Sequence, residues 1–178
     1  MTASNFQTAL DFVWRPGFDS PLDGYHVTPG DTGGGTKAGV IEATWADAVR
    51  QGLVTGSLRN ASNDQLALIL RANFWGLACD ELPGGIDFML FNGRMMSGHY
   101  PKLLQQALGF IGNDVDGDIG PQTLKSFTGL DARTLIGSLH GAHIAYCESL
   151  ASWPRFQGGW TARLVQARAV AESLISKG

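Results

Sequence analysis

The sequence predicts a mainly α-helical fold with a small β-hairpin or loop region near the amino terminus. Three observations predict it. Apolar residues recur at helical spacing along most of the 178 residues. Ser62, Asp131, Pro83 and Pro121 stand where helices open. Residues 15–40 break the pattern, with three prolines and seven glycines and no room for an amphipathic helix.

The elements follow in order. From Asn5 to Trp14, Phe6, Leu10 and Val13 share a face, with Ala9 and Phe12 alongside, and Pro16 ends the helix. Next, GYHVT and TKAGVI read as short strands around a glycine turn, confining strand to about residues 23–42. ATWADAVRQGL is a short amphipathic helix closing at Gly52. Ser62 and Gln65 form a capping box that opens a helix through LALILRANFW. Pro83 suits the first turn of the helix GGIDFMLFNGRMM. Tyr100 to Phe110 follows, then a polar loop and PQTLKSF behind Pro121. Asp131 caps a helix reaching Trp153, and the last helix runs from about Trp160 to Ile175.

Composition narrows the function. Hydrophobic residues are 44% and charged residues 16%, so the chain is globular. A net charge of −3 argues against a nucleic-acid partner, which needs a basic face. No apolar run approaches the roughly eighteen residues of a membrane span, so membrane insertion is not expected. MTASNFQTALDFVW lacks a basic region, an apolar stretch and a cleavage signal. The expectation is synthesis in the cytoplasm, with action outside depending on a holin or an export route. Cys79 and Cys147 make no disulfide framework. A monomer without a cofactor is expected.

Most candidate sites reduce to structure. Asp114, Asp116 and Asp118 have the early spacing of a calcium loop, but Ile119 stands where glycine is needed and Lys125 where glutamate is needed. His140, His143 and Cys147 share a helix face, yet three ligands on one helix fit a tetrahedral ion poorly, so no metal is assigned. Asp19, Asp23 and Asp31 in the glycine-rich loop, with Tyr25 and Thr36 nearby, offer the paired carboxylates that glycoside hydrolysis uses. Loop aspartates also bond their own backbone, and spacing does not separate these readings.

A resemblance does. Asp31-Thr-Gly-Gly-Gly-Thr36-Lys-Ala-Gly39-Val40 resembles the D-x-G-G-x-T-x-x-G-(I/V) segment of glycoside hydrolase family 108, lysozyme-like N-acetylmuramidases of phage endolysins and toxin-release systems. LRANFWGLACDELPGGIDFMLFNGRMMSG, LLQQALG, VDGDIGPQTL and FQGGWTARL resemble later family motifs, in order, along nearly the whole chain. The resemblance implies a lysozyme-like helical fold that cuts the β-1,4 bond between N-acetylmuramic acid and N-acetylglucosamine. It implies a muramidase region over residues 1–110 and a helical peptidoglycan-binding segment over 111–178, packed as one unit. Asp31 and Thr36 would line the cleft and handle water, with Tyr25, Asn92 and Tyr100 binding the glycan.

One departure matters. The family's catalytic glutamate lies in E-G-G-Y, and the in-register residues here are Arg15-Pro16-Gly17-Phe18. Arginine cannot be a general acid at neutral pH. A second alignment sets Asp23-Gly24-Tyr25 on E-G-G-Y, one glycine short, which makes Asp23 the acid. Asp19, Glu42 or a lost acid are the alternatives, the last leaving a non-catalytic peptidoglycan-binding or assembly protein on the same fold. The family's F-D reads Phe91-Asn92, another missing carboxylate.

Overall fold

The computed structural model describes residues 5–15, 24–27 and 34–175. They fall into two compact units, one of residues 6–76 and one from Leu77 onward that includes Asn5.

In the first unit, α1 (Phe6–Val13) buries Ala9, Leu10, Phe12 and Val13, the face that the periodicity predicts. Strands β1 (His26–Val27), β2 (Gly35–Lys37) and β3 (Val40–Ile41) form an antiparallel sheet in that order, inside the expected span. One detail differs from expectation. TKAGVI is a hairpin rather than a single strand, because Lys37 pairs with Val40 across Ala38 and Gly39. Both turn residues have positive φ, 50° and 82°. That turn matches the twist of its flanking strands. Left-handed backbone costs an alanine about 1–2 kcal/mol. Ala38 is fully buried, and its carbonyl accepts the Trp14 indole N–H at 3.3 Å, which holds the turn in place.

Helix α2 (Glu42–Arg50) buries Trp45 and Ala48. Helix α3 (Asn63–Leu70) opens with the expected capping box: the Gln65 amide donates to Ser62 Oγ at 3.2 Å, and the Ser62 amide to Gln65 Oε1 at 3.1 Å. A cap of this kind stabilises by about 1 kcal/mol. The helix runs on through a π-helical turn, Arg71–Trp75, whose fully buried Trp75 meets Phe6 edge-on at 5.4 Å. Helix α4 (Gly76–Glu81) follows directly and is not predicted, since its six residues are too few to show a period.

The second unit is built on α5 (Ile86–Met96), where every residue from Ile86 to Gly93 is buried. Helices α6 (Tyr100–Ala107), α8 (Ala132–Glu148) and α9 (Trp153–Leu174) pack with it, and α7 (Pro121–Lys125) is a single turn. The bounds that differ most from expectation are those of α6, α8 and α9. Helix α6 stops early, in a Schellman turn closed by the Phe110 amide on the Gln105 carbonyl at 3.0 Å. Helix α8 stops at Glu148. Helix α9 begins at Trp153, with Pro154 in its first turn, and carries Gly158 and Gly159 inside an exposed helical stretch. Two glycines read as a break, yet each costs an exposed helix only about 1 kcal/mol.

Buried Gln105 organises the aspartate loop. Its amide nitrogen donates to Asp116 Oδ1 at 2.7 Å and to the Asp118 carbonyl at 3.0 Å, and its oxygen accepts the Gly117 amide at 2.7 Å. The Gln105 bond comes first in holding the Asp116 carboxyl below its usual range, followed by the Asp118 amide. Cys79 and Cys147 are both buried.

Helix α6 presses on α5 at one place with no slack. A Cβ built on Gly93 would stand 2.1 Å from the Tyr100 ring. In a free helix, glycine to alanine stabilises by about 1 kcal/mol. Here Gly93→Ala should destabilise by about 1–3 kcal/mol, the scale of overpacking. Urea unfolding of the purified variant checks the sign, and a midpoint above wild type contradicts this packing.

Candidate functional site

The hairpin brings Tyr25, Thr36 and Glu42 into one neighbourhood. Thr36 lies at the centre of β2, half-buried, opposite His26 on β1 and Ile41 on β3. Tyr25, just before β1, lays its ring across β2 where Gly35 has no side chain. A Cβ on Gly35 would stand 2.1 Å from the Tyr25 hydroxyl oxygen, so this glycine is a steric requirement of the tyrosine's position.

The ring is fixed from two further directions. The Arg59 guanidinium carbon stands 4.2 Å from its centroid. The phenol donates to Glu42 Oε1 at 2.9 Å, joining the start of β1 to the first turn of α2. Lys37 fastens the same sheet to the 3-10 turn Leu58–Asn60, donating to the carbonyls of Arg59 at 3.1 Å and Ala61 at 2.8 Å. Each such bond contributes about 1 kcal/mol net, so the cluster outweighs any single member.

The electrostatics give the pair defined roles. The Tyr25 phenol is held above its ordinary range, first by its hydrogen bond to Glu42, then by burial and the nearby Glu42 charge, with Arg59 opposing. Tyr25 is thus a donor throughout the neutral range, and Glu42 is its acceptor. Glu42 is the single carboxylate among the described residues of the 24–42 stretch.

Asp19, Asp23 and Asp31 lie outside the described residues. Asn92 and Tyr100 are described, and each is 1% exposed. Asn92 Oδ1 accepts from Arg163 Nε at 3.0 Å, tying α5 to α9. Tyr100 opens α6 and meets the His143 ring edge-on at 4.8 Å. This burial leaves a saccharide no surface to touch on either residue and assigns both to packing, in place of the expected glycan contacts. The aspartate-to-asparagine departure at position 92 therefore falls on a buried tie between helices. Residue-type spacing cannot signal such a pairing, since Asn92 and Arg163 lie far apart in sequence. Glu42 was open to sequence reading only as one alternative acid, and its bond to Tyr25 comes from the fold.

Among the described residues, no three His, Cys, Asp or Glu side chains are grouped to hold a metal ion. Their helices include none long and apolar enough to cross a membrane.

The mainly helical chain with its small three-stranded antiparallel sheet has a lysozyme-like fold. Residues 23–98 match the family model described as Glycosyl hydrolase 108, a span that takes in the hairpin. The solved structure of SagA from Brucella abortus is similar over 98% of this chain and 97% of that chain, with a TM-score of 0.80 at 28% identity. No curated protein matches the sequence.

The phenol–carboxylate bond makes a spectroscopic prediction. Removing the acceptor charge in Glu42→Gln should lower the Tyr25 ionisation midpoint back toward the ordinary tyrosine value of about 10. Following the phenol resonances by NMR from pH 8 upward tests this. An unchanged Tyr25 midpoint in the variant would sever the pair.

Proposed function

We propose that this protein is a peptidoglycan hydrolase that cuts the β-1,4 bond between N-acetylmuramic acid and N-acetylglucosamine. The observation that carries the reading is the family match over residues 23–98, which takes in the whole Asp31–Val40 motif and the Tyr25–Glu42 hairpin. The match begins at Asp23 and leaves Arg15 outside, which supports the alignment of Asp23-Gly24-Tyr25 on the family's acid motif.

The chemistry follows from that assignment. Asp23, protonated, gives its proton to the glycosidic oxygen as the bond breaks. Asp31 as carboxylate, assisted by Thr36, orients the attacking water or steadies the sugar cation. A general acid must hold its proton at working pH, which burial or a neighbouring carboxylate achieves. Glu42 acts as a positioning residue: its carboxylate holds the Tyr25 phenol, two residues along the chain from Asp23. The helical segment over 111–178 contributes peptidoglycan binding.

A second reading has its own observation. Arg15 stands at the acid position of the simple in-register alignment, which favours a wall-binding protein without catalysis.

Reducing-end release from purified peptidoglycan separates the two. Asp31→Asn should cut the rate by at least about a hundredfold, the scale of lost acid–base assistance. Asp23→Asn should abolish release while wall binding persists, and Asp19→Asn should be mild. Dependence on Asp19 with Asp23 dispensable would refute the loop alignment. Wild-type protein that pellets with walls and releases no reducing ends would establish the non-catalytic reading.

A further inference from the structure

The α5–α6–α8–α9 unit contains a polar cluster that the hydrolase reading does not use. His143, on α8, is 1% exposed, and both its ring nitrogens lack a hydrogen-bond partner. The Tyr100 hydroxyl, on α6, is equally buried and also has none. The two rings meet edge-on at 4.8 Å. One turn back along α8, His140 Nδ1 is a third buried atom without a partner.

The groups facing His143 set the sign of its response. From its own helix comes His140, and from α9 comes Arg163, both opposing a proton on His143. From α6 comes the neutral Tyr100, and Asn92 of α5 accepts from Arg163. The carboxylate of Glu172, on α9, pairs with Arg133 and Arg168 and acts on His140, not on His143. A proton on His143 therefore creates a second cation near Arg163 in a dry site, with two N–H donors and no acceptor. Such a charge is tolerated only when the site opens to water.

We propose that His143 is an acid-sensitive latch, whose protonation releases the packing of α8 and α9 against α5 and α6. This is a property of the helical unit and does not depend on the hydrolase reading.

The pH window follows from linkage. Burial comes first, then Arg163 and His140, in lowering the His143 midpoint from 6.5 to about 4. Above the unfolded value both states are neutral and the latch is closed. As pH falls below it, the unfolded chain takes the proton and the folded chain does not, so stability declines until the folded site also titrates. The unfolding equilibrium constant should rise by up to about two orders of magnitude across that window.

Two measurements on the full chain test this. In wild type, the His143 Cε1–H resonance should stay in its neutral position down to about pH 5, whereas an ordinary imidazole titrates near 6.5. Titration of His143 near 6.5 in the folded protein would overturn the proposal without any variant. Thermal melts from pH 7.5 to 4.5 should show the wild-type midpoint falling with pH. His143→Leu should flatten much of that slope. A folded His143→Leu with the full wild-type slope would overturn the latch. Should that variant fail to fold, the resonance titration alone decides.

Discussion

Helix α5 is the constraint on which the second unit depends. A helix buried at every position from Ile86 to Gly93 must be apolar all round, and it must pair whatever polar groups it keeps. It keeps two. Asp87 accepts from the amides of Gly85 at 2.8 Å and Phe88 at 2.6 Å, and from Asn5 Nδ2 at 2.8 Å. Burial raises the Asp87 carboxyl, and these three donors pull the other way. Asn92 is matched by Arg163. With both satisfied, the neighbouring helices can approach without stranding a polar group. The approach is close: a Cβ on Gly85 would stand 2.4 Å from the Ala171 carbonyl oxygen on α9.

This gives physical content to the segments that carry the family resemblance. In LPGGID the glycine lets α9 come down on the start of α5, and the aspartate satisfies backbone amides there. In FNG the asparagine holds Arg163 of FQGGWTAR, and the glycine admits Tyr100. LLQQALG and VDGDIGPQTL meet at Gln105, which saturates the aspartate loop with hydrogen bonds. In this chain these motifs are the two sides of the same contacts.

The helices were legible where their signals are local. The capping box at Ser62, the Asp131 cap on Thr134 and the apolar face of α1 need only neighbouring residues to be read. The junction of α8 and α9 was not, because Gly158 and Gly159 remain helical despite poor propensity, with packing farther along α9 at Leu164, Ala167 and Ala171 anchoring the helix. The roles of Asn92 and Tyr100 were illegible for another reason. A polar residue in a motif has the same letter whether it faces a ligand or a partner helix, and only burial distinguishes them.

In the hairpin the same test points the other way. Tyr25, Thr36 and Glu42 are half-buried, not enclosed, and their sheet is too short to be stable by itself. What holds it is a set of side-chain ties: Trp14 on Ala38, Lys37 on the 58–61 turn, and Tyr25 between Gly35, Arg59 and Glu42. A loop so fastened can present charged groups at fixed positions without a large core beneath it, which is the preorganisation that acid–base chemistry requires. The phenol–carboxylate bond joins two ionisable groups. It therefore couples the geometry of the hairpin to its charge state.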